Sequence, residues 1–219
     1  IQALLDIDQS KQRRNRIQQL LGEKVEFEPR RREDIDFIFV AAKPEKARQI
    51  RPQLQFHHAI NLPIYTTSHA WQGFIDKDKD RDIEGILFPD IPWLLADEGD
   101  GSLSLANMKQ QMQIGNSLTL RLIAMGIDSY QLLGHLARLQ ASPNEALDGK
   151  TGQLYMDGLN NIHRQLVWAQ MKNSVPNVIG YAPRLNSLFA ENQNEQILVP
   201  VSETEIESSD AGAPVSEQE

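Results

Sequence analysis

"DGKTG", Asp148 to Gly152, presents the Gly-Lys-Thr core of a phosphate-binding loop. A complete loop also needs a glycine five residues before Gly149, a strand in front and a helix behind. Asn144 occupies that earlier position, and the residues after Gly152 read as a strand. Asp-Gly is a turn dipeptide, so a hairpin-entry turn is the expectation. "DKDKDRD", Asp76 to Asp82, has carboxylates at alternate positions, as a calcium loop does. A calcium loop places glycine at its sixth position and glutamate at its twelfth. Arg81 and Leu87 stand there counting from Asp76, and Ile83 and Pro89 counting from Asp78. Interleaved Lys and Arg oppose a cation, which leaves a solvated charged loop. His57, His58, His69, His135 and His163 form neither H-x-x-x-H nor H-E-x-x-H. No two of them are therefore set on one helix face as metal ligands.

"TTSHAWQG", Thr66 to Gly73, is the best-placed candidate. It follows a predicted strand of a parallel sheet, and open α/β sheets bind ligands outside the carboxyl ends of their strands. Thr66, Thr67, Ser68 and His69 offer hydroxyl and imidazole groups, and Trp71 offers a flat apolar wall. These five are the candidate cleft-lining residues; a structural crossover loop is the competing reading. Ser68 and His69 are neighbours that point apart, and no G-x-S-x-G elbow is present, so the pair does not read as catalytic. Arg30, Arg31 and Arg32 precede the amino end of a strand, the edge opposite the ligand edge. Glu33, Asp34 and Asp36 are close enough to neutralise them. The expectation for the triplet is ion pairing or contact with another part of the chain.

The elements that position these residues follow from periodicity. Residues 9–21 read as a helix ended by Gly22, and Val25 to Glu28 as a short strand closed by Pro29. Phe37 to Ala42 lacks polar alternation, as a strand buried on both faces does. Pro44 suits the first position of a helix through Leu54, with Pro52 expected to kink or end it. Strands follow at Leu62 to Thr66 and Ile83 to Phe88. Strand, helix, strand at this spacing is a βαβ unit. Ser117 to Gln140 reads as helix interrupted near Gly126, with Asp128 capping a new turn. Gly152 to Met156 and Ile162 to Met171 read as a hairpin around "DGLNN".

Charge is unevenly distributed. Eight of the 30 acidic residues lie in 191–219, which has no Lys or Arg, leaving 22 basic and 22 acidic residues in 1–190. A neutral body lacks the basic footprint of a nucleic-acid-binding domain. There is no cysteine, which removes thiolate chemistry and disulfides. No apolar run approaches the ~20 residues of a membrane-spanning helix. The chain begins at Ile1, which suggests a mature product or fragment. The expected organisation is a partial parallel α/β lobe at 1–89, helices and hairpin of a second lobe at 90–180, and an acidic, largely disordered tail at 181–219.

Five stretches together resemble the LpoA family, outer-membrane lipoproteins that activate class A penicillin-binding proteins. They are "LLDIDQSKQRRNRIQQLLG" (4–22), "EPRRREDIDFIFVAAKPEKARQIRPQL" (28–54), "LPIYTTSHAWQG" (62–73), "DIEGILFPDIPWLL" (82–95) and "RLIAMGIDSYQL" (121–132). The resemblance implies part of a carboxy-terminal domain of type I periplasmic solute-binding-like fold. Such a fold has two Rossmann-like lobes and a hinge, here truncated at its amino end. The family is not known as an enzyme, so the resemblance implies no catalytic residue, no cofactor and no metal. It implies a class A penicillin-binding protein as partner, no nucleic acid, and a place on the periplasmic side of the outer membrane. Membrane contact would run only through a lipid anchor that this chain lacks. The competing function is a solute receptor closing on an amino acid or small peptide.

Overall fold

The apolar run after Asp36 forms β1 (Ile38–Val40), an edge strand of a five-stranded mixed sheet. The computed structural model describes residues 1–96, 101–142 and 144–184. Helix α1 (Ile7–Leu21) precedes β1 and ends where Gly22 takes φ 70° and its N–H bonds to the Gln18 carbonyl. The strand expected at Val25 to Glu28 is absent. Its side chains do alternate, with Val25 and Phe27 half-buried, but no neighbouring strand among the described residues pairs with it. Alternation supplies a face; a ladder also needs a partner.

Helix α2 (Pro44–Phe56) starts on Pro44 as expected but runs on through Pro52. Pro52 is exposed, so the carbonyl it leaves unpaired one turn earlier can be solvated. Strand β2 (Ile64–Thr66) follows. Next come a 3-10 turn at Ser68–Ala70, helix α3 (Lys77–Asp80) and a 3-10 turn at Arg81–Ile83. "DKDKDRD" is therefore helical turn rather than solvated loop. The Asp76 side chain caps it by accepting from the Lys79 N–H, and Asp80 is fully buried against Arg48. Strand β3 (Leu87–Asp90) begins four residues later than expected. Gly85, at φ 81°, turns the chain first.

Strands β1, β2 and β3 are parallel, with Ile38 opposite Ile64 and Tyr65 opposite Leu87. The α/β class and the βαβ order are as expected. Beyond β3 the chain forms α4 (Pro92–Leu95), α5 (Leu105–Met112), α6 (Ser117–Leu133) and α7 (Leu136–Ala141). Helix α6 passes Gly126 unbroken and stops only at Gly134. Asp128 does not cap a turn; it is buried, with a role described below.

A three-stranded antiparallel sheet follows: β4 (Leu147–Asp148), β5 (Gln153–Met156) and β6 (Ile162–Gln165). The strand expected to run from Ile162 to Met171 divides at Leu166. Its second half, β7 (Val167–Lys172), leaves the small sheet and pairs antiparallel with β3. Strand β8 (Val175–Tyr181), not foreseen, completes the large sheet in the order β1-β2-β3-β7-β8. Asn173 and Ser174, both at positive φ, make the two-residue turn between β7 and β8. The large sheet thus takes strands from both sides of the boundary expected at 89 and 90, and residues 1–183 form one compact unit. Its core packs Leu54, Ile64, Ile86, Phe88, Trp93, Leu120, Ala124 and Met171. The tail expected from residue 181 overlaps the end of β8, and residues 185–219 lie outside the described residues.

Candidate functional site

The carboxyl edge of the parallel strands ends at Thr66 on β2 and Asp90 on β3. An open cleft of about 450 Å³ lies beside it, lined by Lys43, His69, Trp71, Phe74, Ser117 and Arg121 among others. Of the five candidate residues, His69 and Trp71 line this cleft. His69 is exposed, whereas Trp71 is 2% exposed and packs against Phe88 at 5.9 Å between ring centroids. Thr67 and Ser68 are half-buried and are not among the cleft's lining residues. Thr66 is buried and lines a different space, between α2 and the sheet. Period-two alternation explains the split. Ile64 and Thr66 share the inner face of β2, leaving only the residues beyond the strand free to turn to the cleft. The loop ends at Gly73, where φ is 79° and an added Cβ would stand 2.5 Å from the Ser117 Cβ. Only glycine permits that backbone conformation and that approach together.

Arg121 organises the edge. Its Nε donates to Asp90 Oδ1 at 3.1 Å and its Nη2 to Asp90 Oδ2 at 2.5 Å. Nη1 donates to Ser117 Oγ at 3.0 Å, and Nη2 also donates to the Ser68 carbonyl at 3.2 Å. One guanidinium therefore ties α6, the end of β3 and the Thr66–Gly73 loop together. It spends four hydrogen bonds on the protein's own groups. A guanidinium carries five N–H donors, so little capacity remains for a ligand carboxylate. Sequence reasoning missed Arg121 and Asp90, which stand 31 residues apart. The available signal was that α6 carries only two charges, Arg121 and Asp128, in a largely apolar helix.

Asp128 answers the "DGKTG" question. Its Oδ1 accepts from the Lys150 N–H at 2.6 Å, and its Oδ2 accepts from the Thr151 N–H at 2.7 Å and the Thr151 hydroxyl at 2.5 Å. The turn does gather backbone N–H groups around an anion, but the anion is the protein's own carboxylate. Gly149 makes room for it, since a Cβ there would sit 2.6 Å from Asp128 Oδ2. The turn lies between β4 and β5, as a hairpin-entry turn should.

Two of the three arginines, Arg31 and Arg32, make the contacts that the charge pattern suggested. Arg32 pairs with Asp34 through two contacts, 2.7 and 2.5 Å long, at an exposed site. Hydrogen bonding to Arg32 lowers the Asp34 pKa to about 2. Arg31 Nε donates to the His58 carbonyl at 3.1 Å. His163 sits 2.7 Å from Asp157 Oδ2, and that contact holds the Asp157 carboxyl well below its usual range, with Asn161 adding to the effect. Among the described residues, no group of three or more His, Asp and Glu is placed to hold a metal ion. None of their helices is long and apolar enough to cross a membrane.

Residues 1–174 match the sequence profile of LppC, a lipoprotein family. The chain belongs to the LppC family. The penicillin-binding protein activator LpoA of Vibrio antiquarius is 30% identical over 175 residues, covering 78% of this chain and 28% of that protein. LpoA of Vibrio vulnificus is 30% identical over 173 residues, with the same coverage. This chain thus spans little more than a quarter of the length of those relatives. Full-length LpoA from Haemophilus influenzae superposes with a TM-score of 0.57 at 23% identity, over 78% of this chain and 33% of that one. The carboxy-terminal domain of the same protein, described as a regulator of PBP1A, gives 0.56 at 23% identity over 76% and 55%. This LppC chain therefore shares the α/β fold of that domain, and almost half of the domain has no counterpart in it.

Proposed function

We propose that this chain is part of a non-catalytic regulatory domain that binds and stimulates a bifunctional, class A peptidoglycan synthase. It would act from the periplasmic side of the outer membrane, lipid-anchored through the longer protein. The observation that carries the reading is its 30% identity, over most of its length, to proteins named as penicillin-binding protein activators. The site chemistry agrees. At the sheet edge Arg121 is committed to Asp90, Ser117 and Ser68, and the phosphate-loop-like turn is filled by Asp128. His69 and Trp71 would then face the cleft beside the sheet edge.

Stimulation requires a difference in affinity between inactive and active synthase, because equal affinity for both shifts nothing. The test is a cross-linking assay with a purified class A penicillin-binding protein. The longer parent polypeptide is expected to bind it and raise the transpeptidation rate, and to leave peptidoglycan precursors unchanged when alone. Failure of the parent to bind or to change the rate rejects the reading. Closure of the domain on an amino acid at micromolar concentration would replace it with a solute receptor using His69 and Trp71.

A further inference from the structure

Thr66 ends β2 with its side chain on the α2 side of the sheet, away from the cleft. Its Oγ1 is buried and has no partner among the described residues, and the same holds for Arg51 Nη1. Both residues line one small space of about 10 Å³, otherwise walled by aliphatic side chains that include Val40, Ala47, Leu54 and Ile86. Arg51 is anchored on its other side, where Nε donates to the Glu84 carbonyl at 3.0 Å. That bond limits how far the guanidinium can rotate to find another acceptor. Buried polar groups in native proteins are nearly always paired, with protein or with ordered water. A cavity holds a water once it offers roughly 10–15 Å³ and two or more polar contacts.

We infer that a single water molecule occupies this space and bridges Arg51 Nη1 to Thr66 Oγ1. It accepts from the guanidinium N–H and hydrogen-bonds with the threonine hydroxyl, which can donate or accept. The space fits one water-sized molecule, and its remaining walls offer nothing to hold an ion. The bridge links the middle of α2 to the last residue of β2, where the Thr66–Gly73 loop begins.

The test is a crystal structure of the 219-residue chain, at a resolution that orders internal waters, for the native protein, Thr66→Ser and Thr66→Val. The first two should show one density peak about 2.7–3.2 Å from both polar atoms. Thr66→Val, which replaces the hydroxyl with a methyl group, should lack the peak. In solution, magnetic relaxation dispersion should count one long-lived water fewer in Thr66→Val than in the native chain. A dry cavity in the native protein overturns the inference. So does a direct Arg51–Thr66 bond, or a peak that persists unchanged in Thr66→Val. If Thr66→Val does not fold, the native and Thr66→Ser maps decide alone.

Discussion

Arg121 and Asp90 meet through Nε–Oδ1 and Nη2–Oδ2 contacts of 3.1 and 2.5 Å, and Arg32 and Asp34 meet through the same two atom pairs at 2.7 and 2.5 Å. Around them the two pairs differ. The side chains of Arg121 and Asp90 are 18% and 1% exposed, against 42% and 65% for Arg32 and Asp34. Arg121 also holds Ser117 and the Ser68 carbonyl, joining three elements, whereas Arg32 and Asp34 are two residues apart in one loop. Water competes for the exposed pair and screens it, so its contribution to stability is small. The buried pair has far less water to fall back on, with Asp90 almost wholly enclosed, and removing that carboxylate strands a charge. The same pairing of atoms therefore says little about energetic weight until burial is known.

The largest effect is expected from breaking the buried pair. Asp90→Ala leaves Arg121 uncompensated and should cost about 3–5 kcal/mol. Calorimetry would show this as a melting temperature lowered by roughly 10 °C, at ~2–4 °C per kcal/mol for a chain of this size. A change of a degree or two would mean that solvent reaches Arg121 freely. Asp128 sharpens the contrast, being buried like Asp90 but paired with N–H and O–H groups instead of a guanidinium. Asp128→Asn turns one of two acceptor oxygens into a donor facing donors. Urea unfolding should register a loss of about 1.5–3 kcal/mol, the range for hydrogen bonds to charged groups.

The exposed pair should be visible to titration before it is visible to stability. Asp34 titrates near 2 in the folded protein, against an ordinary value of 3.8. Its contribution is present above the ordinary value and is lost as pH falls through about 2. Carboxyl NMR should find that low midpoint, and Arg32→Ala should return it toward 3.8. An unmoved midpoint would remove Arg32 as the cause. The smallest effect is expected from replacing Arg30, Arg31 and Arg32 together by alanine. Circular dichroism and the melting temperature should stay within error of the native protein; failure to fold would place a structural guanidinium in that loop.

Local order was legible where one segment carries its own reason. Gly22 stops α1, Pro44 opens α2, and Asp-Gly makes the turn into β5. Arg32 and Asp34 were readable as a pair because two residues of chain hold them together. Non-local pairing was not legible. Val25 to Glu28 alternates like a strand but has no partner among the described residues, while β8 carries Pro176 and was overlooked. Pro176 is tolerated there because β8 is an edge strand. Asp80, in the most charged stretch of the chain, is fully buried because Arg48, on another element 32 residues away, meets it.

Composition, the βαβ spacing and the residue types beyond β2 were properties of the sequence alone. They were enough for the α/β class, for a sheet edge ending near Thr66, and for the absence of cysteine chemistry. Tertiary structure decided which of those residues face the cleft. Thr66 turns inward because strand side chains alternate, and Trp71 is buried because Phe88 lies beside it. It also decided that Arg121 binds Asp90 and that Asp128 fills the "DGKTG" turn. Those pairings depend on how helix α6 is laid against two sheets, and no local pattern records a contact made across 31 or 23 residues of intervening chain.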